Sequence, residues 1–209
     1  MSRGVLLPGA NLMTNSRFAS TLLGAVCALS LSACHSAADL PRITLNANTV
    51  AAVPEKKKLF VVGTYSANFG KNGQLFEDSF AEQAKSCQVS VEFFHMPNVG
   101  DKLTLDPKAE TAAAQAELLR RLAASQPDGI LEVNTAGWHA PGGLSSDPNI
   151  AMTYGSFDLK LHLLDGKKRI DQWHSDATVN VRSGMGGELL APKVVQQLAI
   201  VGALPHCPK

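Results

Sequence analysis

The sequence predicts a single α/β domain, a small two-layer sandwich in which a mixed sheet of about five strands carries about three helices, mainly on one face. Three observations predict it. Apolar residues between positions 58 and 201 switch repeatedly between a period of two and a period near 3.6. The resulting order is strand, helix, strand, helix, strand, hairpin, helix. The chain has 209 residues with 45% hydrophobic and 18% charged content, which suits one globular domain plus a targeting segment.

Lys58–Tyr65 (KLFVVGTY) is apolar on both faces, as a central strand requires. Leu75–Ser86 reads as a helix, with Phe76, Phe80 and Ala84 at i, i+4 and i+8. In Gln88–Met96, Val89, Val91 and Phe93 alternate with Ser90 and Glu92, the pattern of a strand. The second helix starts at Asp106, a capping residue, with Pro107 at the first helical position, where a missing N–H costs nothing. Its expected buried stripe is Ala112, Ala116, Leu119 and Ala123, with Leu122 beside it, and Pro127-Asp128-Gly129 ends it. Ile130–Thr135 is a short strand, and residues 137–149 (GWHAPGGLSSDPN) read as a long polar loop.

A hairpin follows. Phe157, Leu159, Leu161 and Leu163 face one way, and Ser156, Asp158, Lys160 and His162 the other; Asp165-Gly166 marks the turn, and Arg169–Val181 returns. A two-residue turn sets Lys160 opposite Asp171, whereas a three-residue turn sets Leu159 opposite Trp173, and both registers stay open. Pro192 is read as opening the last helix, which runs through Val201 with Val194, Leu198 and Val201 inward and Gly202 as its stop.

Ahead of the domain lies a segment of different character. Two starts are visible, Met1 and Met13. From Met13, Arg17 supplies a positive flank, Phe18–Leu31 is apolar or small throughout, and Ser32-Ala33 are the small residues a signal peptidase needs. The apolar stretch is shorter than the roughly 20 residues of a spanning helix. Leu31-Ser32-Ala33-Cys34 resembles the lipobox of bacterial lipoproteins: an aliphatic residue, two small residues, then cysteine. The resemblance implies removal of residues 1–33 and attachment of a diacylglyceryl group to the Cys34 thiol. The chemistry needs cysteine, because its thiolate is the competent nucleophile at neutral pH. Two or more acyl chains give durable anchoring, at roughly 0.8 kcal/mol per buried CH₂. His35, rather than Asp, follows the cysteine, which by the same resemblance implies the outer membrane with the domain facing the periplasm.

Residues 34–57 are then expected to be a lipidated cysteine and flexible tether, and 58–209 the periplasmic domain. Pro41 and Pro54 break any helix in the tether, and Arg42–Leu45 is at most a weak strand. Cys27 leaves with the signal. Of Cys34, Cys87 and Cys207, two remain once Cys34 is lipidated, and an oxidising compartment favours a Cys87–Cys207 disulfide over two free buried thiols. In element order and size, the domain resembles the small α/β domains of envelope assembly lipoproteins.

Charge and motifs limit the remaining function classes. The chain carries 19 Lys and Arg against 18 Asp and Glu; residues 1–33 hold Arg3 and Arg17 and no acid, leaving 17 basic against 18 acidic. A near-neutral body gives no footprint for nucleic acid. The basic runs Lys56–Lys58 and Lys167–Arg169 read as solvated surface. Histidines 35, 95, 139, 162, 174 and 206 fall in no metal-ligand spacing; His162 and His174, on the two arms of the hairpin, lack an evident third ligand, so no metal is expected. Ser183 in Arg182-Ser183-Gly184-Met185-Gly186-Gly187 lacks the first glycine of a nucleophile elbow, and the same stretch has no nucleotide-binding ending, so no catalytic residue and no cofactor is expected. Trp138 with His139, in the polar loop, is the candidate partner contact, since tryptophan is enriched at interface hot spots.

Two readings result. One is a membrane-anchored, non-enzymatic envelope lipoprotein that docks a protein partner or supports an envelope complex. The other is a small-ligand-binding or hydrolytic periplasmic protein with a cleft near Trp138, His139 and residues 182–187.

Overall fold

The computed structural model describes residues 42–69, 71–98, 106–139, 152–165, 168–182 and 186–207. Among these, six strands form one mixed sheet with three helices: β1 (Arg42–Thr49), β2 (Lys58–Thr64), α1 (Asn72–Ser86), β3 (Ser90–His95), α2 (Pro107–Ser125), β4 (Gly129–His139), β5 (Met152–Asp165), β6 (Lys168–Arg182) and α3 (Gly186–Ile200). The sheet order is β1-β6-β5-β4-β2-β3. β2 is parallel to β3 and β4, and the remaining pairs are antiparallel. The α/β architecture is the one expected, with one strand more than five.

The added strand is β1, and it corrects the domain boundary. Residues 42–49 do not belong to the tether: they pair with β6, Ile43 opposite Val179 and Leu45 opposite Ala177, and the compact unit begins at Pro41 rather than at residue 58. The following segment is fixed too. The Val50 N–H donates to the Gln172 carbonyl at 2.9 Å, and the Lys56 N–H to that of Ala203 at 2.8 Å. Lys56 is buried rather than solvated; burial pushes its pKa down, with Asp128 opposing.

One face of the sheet builds the main core. Leu59 and Val61 of β2, Leu131 and Val133 of β4, Phe157, Leu159 and Leu161 of β5, and Trp173, Ala177 and Val179 of β6 meet Phe76, Phe80 and Ala84 of α1 and Leu190, Val194 and Leu198 of α3. A smaller cluster lies on the other face, where Phe60, Val62 and Ile130 are covered by Leu118 and Leu122 of α2 together with Phe94 and Met96. Topology accounts for the split. The β2–α1–β3 crossover moves outward and β3–α2–β4 moves back across β2, so right-handed crossovers put α1 and α2 on opposite faces.

Three local expectations change. The buried row of α2 is not Ala112–Ala116–Leu119–Ala123, all of which are exposed; Leu122 is packed, at 9% exposure, while Leu119 is 64% exposed. α3 starts at Gly186, not at Pro192, which lies inside it. The helix carbonyl that Pro192 leaves without a donor, Glu188 O four residues back, accepts from Ser79 Oγ at 3.3 Å. Gly187 lets this first turn approach α1, since a Cβ there would lie 1.9 Å from the Asn72 carbonyl oxygen. At the other end Gly202 takes φ 86°, as a helix stop requires.

The hairpin adopts neither of the two registers considered. Asp165 pairs with Lys168, which neither register allows, and an irregularity between Leu161 and His162 then shifts the ladder. Lys160 consequently faces His174, and Leu159 faces Ser175. The extra residue is Gln172, whose side chain donates to the Ala52 carbonyl at 3.1 Å. The segment after β1 thus holds the bulge in place.

Candidate functional site

The carboxyl ends of parallel strands are where an open sheet presents loops to a ligand, above all where successive crossovers leave to opposite faces. Here that point is between β2 and β3. Tyr65 follows β2 directly, His95 ends β3, and Glu77 reaches the same place from α1. Glu77 is 5% exposed; it accepts from the Tyr65 hydroxyl at 3.2 Å and lies 2.5 Å from His95 Nε2. The Tyr65 and His95 rings meet edge to face, 5.7 Å between centroids. Burial, followed by the Glu77 charge, holds the Tyr65 phenol well above its ordinary pKa, so it stays a donor. The ring lies so close over Gly63 that a Cβ there would come within 2.5 Å of it. A buried carboxylate thus fixes an imidazole that is itself more than half exposed, an arrangement able to bind or exchange a proton with a polar ligand. Neither Glu77 nor His95 stands out in sequence, since only the crossover brings them together.

A second polar cluster lies on the half of the second face that α2 leaves open. His174 Nε2 lies 2.7 Å from Asp158 Oδ1 and 3.6 Å from Asp176 Oδ1, and Lys160 Nζ lies 2.5 Å from Asp158 Oδ2. Burial pushes the Asp158 carboxyl up, but the hydrogen bonds from Lys160 and His174 outweigh it and hold the group below the usual carboxylate range. His162 and His174 share this face without forming a pair. His162 is buried beside Glu132, its Nε2 4.0 Å from Oε1, while Arg169 bridges Glu132 at 2.9 Å and Asp171 at 2.6 Å.

The residues singled out from the sequence fall as follows. Cys34 and Ser183 lie outside the described residues. Trp138 and His139 are not in a loop: β4 continues past an irregularity at Thr135/Gly137 and pairs Trp138 with Gly155 and His139 with Tyr154. Their side chains, and residues 140–151, are outside the described set. Cys87 and Cys207 are joined by a disulfide that ties the end of α1 to the tail beyond α3. Beside it runs a groove of about 600 Å³ between α1 and α3, lined by Gln83, Pro192, Val195, Ala199, Ile200 and Pro205.

No family model matches this chain, and no curated protein matches it. Solved structures similar to it include the PelC dodecamer from Paraburkholderia phytofirmans, at 15% identity and a TM-score of 0.48, over 78% of this chain and 99% of that one. Another is the lipoprotein GNA1162 from Neisseria meningitidis, at 16% identity and a TM-score of 0.38, over 68% of this chain and 98% of that one. A PDZ domain protein from Parabacteroides distasonis is similar at 9% identity and a TM-score of 0.38, over 86% of this chain and 39% of that one.

Proposed function

We propose that this chain is a lipid-anchored protein of the bacterial cell envelope whose domain works by docking a protein partner rather than by catalysis. A spacing carries the reading. Cys34, at the end of the lipobox-like Leu31-Ser32-Ala33-Cys34, is separated from β1 only by residues 35–41. Fully extended, such a segment reaches about 25 Å. The anchor therefore keeps the domain at the membrane surface, in the outer membrane by the residue after the cysteine, with the domain in the periplasm. A tether of this kind raises local concentration, so a weak contact suffices. Export agrees with the Cys87–Cys207 bond, because disulfides persist in oxidising compartments. Apolar surface open to a partner, in the α1/α3 groove and along Ala112, Ala116, Leu119 and Ala123 of α2, supports a contact role.

The experiment is mass spectrometry and crosslinking of the full chain in a bacterial host. Residue 34 should carry the diacylglyceryl group, and the chain should fractionate with membranes. Cys34→Ala should be unlipidated and should lose the envelope protein that crosslinks to the native chain. An unmodified Cys34, or residues 1–33 still attached, would sink the anchor. Failure to recover any partner beside a positive-control lipoprotein pair would sink docking.

A further inference from the structure

In the β5–β6 ladder Asp158 stands directly opposite Asp176. Like charges so placed repel, and the backbone ladder holds them in position. The row continues outward on both sides, with Asn46 of β1 paired to Asp176 and Asn134 of β4 paired to Asp158. Four oxygen-bearing residues thus form one row across four adjacent strands. His174 sits one row along, opposite Lys160, with its Nε2 turned to both carboxylates at 2.7 and 3.6 Å. One ligand atom each from Asp158, His174 and Asp176 lies within 4.8 Å of the other two.

We infer that Asp158, His174 and Asp176 form a site for a divalent transition cation of the zinc class, completed by water. Tetrahedral zinc with nitrogen and oxygen ligands at about 2.0–2.2 Å places neighbouring ligand atoms about 3.3 Å apart. The two distances from Nε2 straddle that spacing, and the carboxylate oxygens lie within 4.8 Å of each other. One imidazole with two carboxylates suits zinc better than calcium or magnesium, which take all-oxygen shells. Three protein ligands leave a coordination position for water, and the exposure of Asp176 lets an ion enter without opening the fold. Two of the ligands come from β6 and one from β5, so the hairpin's own rigidity preorganises the site. Lys160 is the built-in competitor, since its ammonium holds the second oxygen of Asp158. No short sequence motif announces these ligands, because the shifted hairpin register brings residue 158 to residues 174 and 176.

The test is calorimetric titration of Zn²⁺ alone into the chelator-stripped full chain in detergent. One equivalent per chain should bind. Asp176→Asn and His174→Ala should each weaken binding at least tenfold, whereas Lys160→Gln should strengthen it by freeing an Asp158 oxygen. Because Lys160 and His174 both hydrogen-bond Asp158, the metal-free melting temperature of each variant is measured beside its affinity, so that a loss of fold is told apart from a loss of binding. Lys160→Gln leaves all three ligands in place and reads the site even where a ligand variant folds poorly. Substoichiometric uptake by the native chain would overturn the site. So would His174→Ala binding as tightly as the native chain, which would send the ion to another histidine such as His95 or His206.

Discussion

His162 shows how a single residue couples this fold to pH. Its ring is only 4% exposed, and its Nδ1 has no hydrogen-bond partner among the described residues. Burial pushes its pKa below the ordinary imidazole value, with Arg169 adding to the shift and Glu132 and Asp171 opposing it. The unfolded chain, with a histidine near 6.5, therefore binds the proton more readily than the folded one. Stability contributed by the neutral imidazole is present above about pH 6.5 and is lost as the pH falls from there through the folded value. The slope from one such group is at most about 1.4 kcal/mol per pH unit. Urea midpoints should accordingly drop between pH 7.5 and 5.5 for the native chain, and His162→Phe should flatten that slope. Equal slopes in the two proteins would assign the acid sensitivity to other groups.

At the scale of elements, α2 separates what is written locally from what is decided by packing. Its start was legible, because a cap is local chemistry: Asp106 Oδ1 accepts from the Ala109 N–H at 3.0 Å, with Pro107 at the first helical position. Its buried face was not. Alanines occupy both candidate rows, so apolar periodicity does not distinguish Ala112–Ala116–Leu119–Ala123 from the row through Leu118 and Leu122 that meets Phe94 and Met96. The two leucines consequently part company. Leu122→Ala should cost about 2–3 kcal/mol by removing packed methyl groups, while Leu119→Ala should stay within about 0.5 kcal/mol of the native chain. Urea denaturation of the two variants side by side decides it, and a larger loss at Leu119 would mean that the helix packs on its other face. Pro192 misled for a related reason. Proline favours a helix start, but here Ser79 accommodates it mid-helix and Gly187 allows the earlier turn to dock on α1. β1 was faint because only Ile43 and Leu45 of its eight residues pack against the core, the rest being exposed. The polar clusters were legible only in part: the shared face of Asp158 and Lys160 follows from alternation, but Glu77 and His95, or Asp158 and Asp176, become neighbours only through a crossover or a register.

For the molecule as a whole, the feature readable from the cysteine count, given the compartment that the lipobox resemblance implies, was the Cys87–Cys207 bond, and its location gives it more consequence than that count suggests. It spans a sequence separation of 120 and joins the end of α1 to the tail that follows α3, the two helices that cover the main core. The tail is also where Ala203 and Leu204 are buried and where the Ala203 carbonyl receives the Lys56 N–H, so the bond secures the domain's last residues against the segment that leads into its first central strand. Loop closure of this length removes unfolded-state entropy equivalent to about 4–5 kcal/mol. Replacing both cysteines by alanine, which avoids leaving a reactive thiol, should therefore lower unfolding free energy by several kcal/mol. The sheet should remain, since none of its ladders depends on the bond. Because the uncrosslinked unfolded chain is more expanded, the dependence of stability on urea should steepen in the same variant. A loss below about 1 kcal/mol with unchanged urea dependence would show that helix packing alone holds the tail, and that the constraint on the unfolded chain contributes little here.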